Sequence, residues 1–200
     1  MGTLRRGQRR RSTIEWPADQ LIVLHVGCGT ENPEKLPKEM RGPDWHEVRL
    51  DIDPAVGPDI VASIADMSVV DSETVDAVLS SHNLEHVFAH EVPGVLEEFR
   101  RVLRPLGQVL IAVPDLAIAA KTIVRGRLEE AIYRSPAGPI SALDMLYGHG
   151  EPIANGQHFM AHRTGFTRRS LAEKLRAAGF VDVVVVEEDR ALLASARRPR

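Results

Sequence analysis

Residues 21–30 read Leu-Ile-Val-Leu-His-Val-Gly-Cys-Gly-Thr, an apolar run cut off by two glycines. Ile22, Val23 and Val26 are β-branched, and the run is short before it meets Gly27-Cys28-Gly29. That is the pattern of a strand buried on both faces and running into a tight loop. Glycine lets a backbone approach a ligand closely, and open α/β sheets take ligands beyond the carboxyl ends of their strands, where strand order reverses. A ligand is therefore expected against Gly27, Cys28 and Gly29; the plainer alternative is a buried strand that ends in a turn.

The rest of the composition fits one α/β core around that strand. Two hundred residues at 44% apolar content bury one sizeable core. No apolar run approaches the roughly 18 residues that span a bilayer, and the basic N-terminus lacks the apolar segment of a secretory signal, which points to the cytosol. The single cysteine, Cys28, excludes an intramolecular disulfide framework and a cysteine-cluster zinc site. Net charge is −3, so no global field recruits nucleic acid. Arg5, Arg6, Arg9, Arg10 and Arg11 nevertheless crowd the start of the chain. The expectation is a basic, solvated tail over residues 1–15 and one domain over 16–200, with RNA or another anionic partner as the alternative use of the tail.

Downstream, the strand pattern recurs with polar residues at each carboxyl end. Residues 45–50 form a second strand candidate, ending in Asp51-Ile52-Asp53-Pro54. Carboxylates about twenty residues beyond a glycine loop are placed to accept the hydroxyls of a nucleoside ribose, Asp51 ahead of Asp53; the competing reading makes both turn formers before Pro54. Residues 59–64 give a third strand, followed by Asp66 and Met67, an acid and a flat apolar side chain suited to an adenine. A fourth, around Val75, Ala77, Val78 and Leu79, ends at Ser81-His82-Asn83-Leu84-Glu85-His86. His82-x-x-Glu85-His86 matches an inverted zinc-protease motif, but it begins at a strand end rather than within a helix. His158-x-x-x-His162 has ligand-like spacing without a nearby carboxylate. No metal is expected, and His82 is read as lining a substrate pocket.

Val95, Leu96, Phe99, Val102 and Leu103 recur at helical spacing within 91–103, and residues 108–113 form a fifth strand. Residues 116–134 read as helical. Residues 135–160 carry Pro136, Gly138, Pro139, Gly148, Gly150, Pro152 and Gly156, and are expected to be an irregular active-site lid whose histidines, His149 and His158, with Tyr147 as a further candidate, act on a substrate; the alternative is that the histidines are structural. Thr167 caps a helix that Gly179 stops, and 180–188 and 191–196 are two strands joined by so short a turn that they must be antiparallel.

Taken in order, VLHVGCGT, VRLDIDP, IADM, VDAVLSSHNLEHV, VLEEFRRVLRPLGQVLIAVPD and FTRRSLAEKLRAAGF resemble a class I S-adenosylmethionine-dependent methyltransferase of the methyltransferase type 11 kind. The resemblance implies a Rossmann-like α/β fold: a seven-stranded, mostly parallel sheet of order 3-2-1-4-5-7-6, with an antiparallel C-terminal hairpin and helices on both faces. It implies S-adenosylmethionine as cofactor, with Gly27, Cys28 and Gly29 beneath its methionine part and Asp51, with Ile52, at the ribose. Asp66 and Met67 would then meet the adenine, and His82 the transferred methyl group. His82, His158 and Tyr147 are the candidate bases. The expected acceptor is a small molecule or saccharide, and a homo-oligomer is compatible with this reading. His25 and Glu31 depart from the family's usual acid and last glycine in the first loop. They motivate an alternative in which the chain is a degenerate cofactor-binding scaffold acting through a partner, and the arginine tail motivates a third, methylation of RNA or protein.

Overall fold

The structure, a computed structural model, describes residues 16–135 and 138–200; the expected basic tail lies outside the described residues. β1 (Leu21–Val26) is the axis of the sheet, buried from Ile22 onward because its neighbours cover both sides. It pairs in parallel with β2 (Trp45–Asp51) and with β4 (Val75–Ser81). β3 (Ile60–Val61) adds to β2, and β5 (Leu103–Pro114) adds to β4, both in parallel. β9 (Ala191–Arg197) then pairs antiparallel with β5, and β8 (Val181–Glu188) antiparallel with β9.

The sheet order is β3-β2-β1-β4-β5-β9-β8. It equals the expected 3-2-1-4-5-7-6 once a separate two-stranded hairpin, β6 (Ala131–Ser135) and β7 (Gly138–Ser141), is set aside. The chain runs outward from β1 through β2 to β3, then restarts on the other side at β4. That reversal opens a crevice over the carboxyl ends of β1 and β4, where Gly27 and His82 lie.

Helices α1 (Val92–Val102) and α5 (Arg168–Ala177) pack their apolar stripes on one core, in which Phe99, Phe166, Leu171 and Leu175 are completely buried. Each such side chain contributes roughly 1.5–3 kcal/mol by leaving water. Thr167 caps α5 in a reciprocal arrangement with Ser170, and Gly179 follows the helix at φ +85°, as its sequence context demands. The β8–β9 turn is Asp189-Arg190, both at positive φ, the two-residue geometry that matches strand twist.

Three expectations are corrected. The third strand spans two residues, because Ser63 to Asp66 turns back on itself through an isolated bridge. The expected helix over 116–134 stops early: α2 covers Leu116–Val124, Gly126 turns at φ +75°, and the chain then enters β6. The segment 135–160, read as irregular from its prolines and glycines, carries β7, α3 (Ala142–Tyr147), α4 (Gly150–Ala154) and a 3-10 turn (His158–Met160). Gly148 and Gly156 fall between these elements, whereas Gly138 and Pro139 lie within β7 and Gly150 and Pro152 within the first turn of α4, where a missing N–H breaks no helical bond. Ser141 and Asp144 form a capping box that starts α3, and α3 packs with α2 around Ala119, Ala142 and Met145.

Candidate functional site

Two cavities meet at the crevice. The first, about 430 Å³, is lined by Gly27, Gly29, Asp51, Ile52, Asp53, His82 and Asn83 at the strand ends, and by Phe159, Met160 and Arg163 opposite. The second, about 670 Å³, is lined by Tyr133, Asp144, His149, His162 and Arg190 among others. His82, His86 and Met160 belong to both walls.

The glycine loop owes its shape to Asp51. One carboxylate oxygen of Asp51 accepts the Gly29 amide at 2.8 Å and the other accepts the Asp53 amide at 2.9 Å, which fixes the group at the end of β2. Each oxygen keeps a second lone pair for a ligand hydroxyl. Asp53 is different: its oxygen caps the 3-10 turn Pro54–Val56 through the Ala55 amide. Both acids line the first cavity, and Asp51 is the one whose two oxygens hold the glycine loop and the end of β2 together. Lys35 and Arg49 grip the same loop from outside, donating to the carbonyls of Cys28, Gly29 and Thr30.

Gly27 stands at φ +62°, and a Cβ there would lie 2.3 Å from Asn83 Cγ. Only glycine lets Asn83 lie across the loop. The Asn83 amide nitrogen is buried without a partner. An orphaned donor above a glycine cradle, facing a cavity with a fixed carboxylate, is what a polar nucleoside ligand would complete.

His82 follows β4 at φ +49°, a conformation that turns its ring out of the sheet edge into the two cavities. Its Nδ1 lies 3.5 Å from a carboxylate oxygen of Glu85. That carboxylate, the largest influence on it, holds the imidazole above its usual range against the opposing effect of burial. Glu85 is 1% exposed and neither of its oxygens has a hydrogen-bond donor. His162, on the far side of Glu85, is pushed below the usual range chiefly by burial.

The other expected site residues are placed as follows. Gly27, Gly29, Asp51, Ile52 and His82 line the first cavity. Cys28 passes through the loop with its side chain buried, and burial pushes its thiol upward; its side chain is not part of the lining. Asp66 is turned outward, bonded to the Ser68 amide, and Met67 is wholly inside the core, so Ile64 and Ala65 form that stretch of wall instead. The turn after β3 rotates the acid away. His158 and Tyr147 line neither cavity; Tyr147 is 63% exposed. The histidines that segment 135–160 and its continuation bring to the site are His149 and His162. His25, at the departure from the usual acid, is buried and paired with Glu47 at 2.6 Å, away from the cavity lining.

Sequence reasoning missed Tyr133, Asp144 and Arg190; it reached Asn83 only as part of the segment after the fourth strand and His149 only as one of the lid's histidines. Asn83 had a signal, since it directly follows His82 at a strand end. Tyr133 and Arg190 had none, because a hairpin and a distant turn bring them together, the Arg190 guanidinium lying 5.7 Å from the centre of the Tyr133 ring.

A methyltransferase domain model matches residues 24–111, the stretch that contains the glycine loop, Asp51 and His82. No curated protein matches the chain. Among solved structures, the chain resembles a SAM-dependent methyltransferase from Methanosarcina mazei at 16% identity, over 92% of this chain and 95% of that one, with a TM-score of 0.57. A SAM-dependent methyltransferase from Archaeoglobus fulgidus matches at 14% identity over 89% and 86%, with a TM-score of 0.58. A Burkholderia thailandensis 1,6-didemethyltoxoflavin-N1-methyltransferase, solved with that compound and S-adenosylhomocysteine, matches at 19% identity over 90% and 72%, with a TM-score of 0.50.

Proposed function

We propose that this chain, a member of the class I S-adenosylmethionine-dependent methyltransferase superfamily, transfers a methyl group from S-adenosylmethionine to a polar small-molecule acceptor seated in the second cavity. The observation that carries the reading is the shared wall: His82 faces the first cavity and the second at once. The residues present fit the cofactor. Asp51 offers two aligned oxygens for ribose hydroxyls, Gly27 and Gly29 admit the ligand against bare backbone, and Asn83 donates its unpartnered amide.

When bound, S-adenosylmethionine supplies an electrophilic methyl carbon on a sulfonium that departs as a neutral thioether. The protein's task is then alignment and proton removal, of which alignment supplies several kcal/mol, up to about 7–11 in favourable cases. Tyr133, Asp144, His149 and Arg190 furnish donors and acceptors that suit a hydroxylated acceptor, including a saccharide. As the acceptor oxygen forms its bond to carbon, its proton passes to His82, whose other ring nitrogen faces Glu85.

The test has two stages. Calorimetric titration with S-adenosylhomocysteine should give micromolar binding. Tritiated methyl transfer should then be screened over hydroxylated small molecules and sugars, with His82→Gln as the control. Absence of binding up to millimolar ligand would sink the enzyme reading and favour a degenerate scaffold, the alternative that His25 and Glu31 motivate.

A further inference from the structure

The second cavity is lined by a buried carboxylate, Glu85, whose oxygens have no hydrogen-bond donor, and by two imidazoles, His86 and His162, each bonded at one ring nitrogen. One ligand-capable atom each from Glu85, His86 and His162 lies within 4.8 Å of the others. Two backbone contacts decide the state of the rings. Nδ1 of His86 lies 3.2 Å from the Ala161 carbonyl, and Nδ1 of His162 lies 3.0 Å from the Met145 carbonyl. A carbonyl only accepts, so each Nδ1 carries the hydrogen, and in a neutral ring each Nε2 then presents a lone pair.

His162 Nε2 lies 4.0 Å from a Glu85 oxygen. A lone pair therefore faces a buried carboxylate that has no donor of its own. A buried carboxylate beside a lone pair calls for positive charge: His82, 3.5 Å from the same oxygen, supplies it on one side when protonated, and an ion between Glu85 and His162 would supply it on the other. The arrangement is also held in place. The Arg163 and Thr164 amides both donate to the Glu85 carbonyl, at 2.8 and 3.2 Å, and the His162 amide donates to Tyr147, so the strand-end turn and the distant loop are tied to one another. The two rings meet edge to face, with centroids 4.9 Å apart.

We propose that Glu85, His86 and His162 bind a divalent transition-metal ion of the zinc type. Two imidazole nitrogens and one carboxylate select such an ion over magnesium or calcium, which take oxygen ligands. Nδ1 bonds to backbone carbonyls are the outer contacts that orient metal-bound histidines. A tetrahedral site with bonds of about 2.1 Å has ligand–ligand edges of about 3.4 Å, so binding draws the three side chains together by roughly 1 Å. Three protein ligands would leave a fourth position for a ligand from the second cavity, which these side chains line together with Tyr133 and Asp144; on the reading of that cavity as the acceptor site, the ion would hold the acceptor oxygen and make it more acidic.

The experiment uses the full chain stripped with chelator. Zinc is titrated in competition with a chromophoric chelator, and S-adenosylhomocysteine binding is measured in parallel. One zinc per chain is expected, weakened about 100-fold by Glu85→Gln and by His162→Ala and unchanged by His158→Ala. Millimolar magnesium should not displace it, and cobalt should give the intense visible bands of a four-coordinate site. Where a variant fails to fold, the cobalt spectrum of the unaltered protein decides. No stoichiometric zinc, octahedral cobalt, or zinc affinity unmoved by both substitutions overturns the proposal. In each of those cases retained S-adenosylhomocysteine binding leaves the methyltransferase reading standing, while zinc bound without nucleoside binding would leave the ion site standing alone.

Discussion

Asp51→Asn removes almost no volume and yet should disable both the loop and the cofactor cavity. The two carboxylate oxygens of Asp51 accept backbone amides on opposite sides, Gly29 at 2.8 Å and Asp53 at 2.9 Å, in a residue only 8% exposed. An asparagine has one oxygen and one NH2 group, so either flip leaves an NH2 pointing at a backbone N–H. Losing one bond to a charged acceptor costs about 1.5–3 kcal/mol, and the donor left facing it finds no replacement in a buried site. Urea denaturation of the ligand-free variant should therefore show roughly 2–3 kcal/mol less stability. The second effect falls on the ligand. With one of two acceptor oxygens gone, another bond of similar strength is lost, which weakens S-adenosylhomocysteine by about 10–100-fold in calorimetry. Asp53→Asn is the internal control, because asparagine caps a helical turn as well as aspartate does. Wild-type stability with affinity within about twofold in Asp51→Asn would refute both the loop geometry and the ribose assignment.

Gly27→Ala should destabilise the chain by about 1–2 kcal/mol from its left-handed backbone alone and displace Asn83, with cofactor-analogue affinity falling in the same calorimetric assay. His82→Gln should lower the turnover number by about 10²–10⁴ in the methyl-transfer assay while leaving S-adenosylhomocysteine affinity within a few-fold. Ser141→Ala should cost about 0.5–2 kcal/mol of thermal or urea stability by uncapping α3. Desolvation raises the Asp144 carboxyl, but the bonds from Ser141 and Gly150 together with the nearby His149 outweigh this and hold it below its ordinary value of 3.8. The bond from the Ser141 hydroxyl to the Asp144 carboxylate therefore contributes fully above that value and is lost as pH falls through the lower folded one, so the gap between wild type and Ser141→Ala should narrow in acid to what the cap bond from the Asp144 amide supplies. Removing residues 1–12 should leave turnover of a small-molecule acceptor unchanged; its loss would favour the macromolecular acceptor that the arginine tail suggests.

The parts of the molecule that sequence made legible are those whose cause is local. Gly27 and Gly29 were readable because a short β-branched run followed by glycines has few other outcomes, and Asp51 because a strand end and a turn-forming acid coincide there. Asp66 and Met67 show the limit of the same reasoning. Their position after a strand was read correctly, but the turn that begins at Ser63 sends one side chain to solvent and the other into the core. Which way a residue faces after a turn depends on backbone dihedrals that its own identity does not set. Segment 135–160 failed for the opposite reason: counting prolines and glycines hides where they sit, and here Gly138 and Pro139 stand in a short strand and Gly150 and Pro152 in the first turn of a helix, places that tolerate them.

The histidines carry that distinction furthest. His158 and His162 share a spacing that suggested a pair without a carboxylate, and His82, Glu85 and His86 share one that suggested a zinc motif without a helix. Each half was incomplete in sequence, and each was set aside on the missing part. Folding supplies the missing part across the chain: Ala161, 75 residues beyond His86, accepts that ring's proton, and His162 turns its free nitrogen to Glu85. The pairing that matters is therefore His86 with His162 rather than His158 with His162, and nothing in either local spacing distinguishes them. A carboxylate buried with no donor is stable only if its charge is met. In this fold the groups able to meet it are His82, exposed to both cavities, and an ion held by His86 and His162. His82 serves as proton acceptor only while its ring nitrogen on the cavity side stays free. The division of labour that follows is that Glu85 orients His82 with its field and anchors the ion with its lone pairs, which predicts that Glu85→Gln lowers turnover more than either His82→Gln or His162→Ala alone in the same assay.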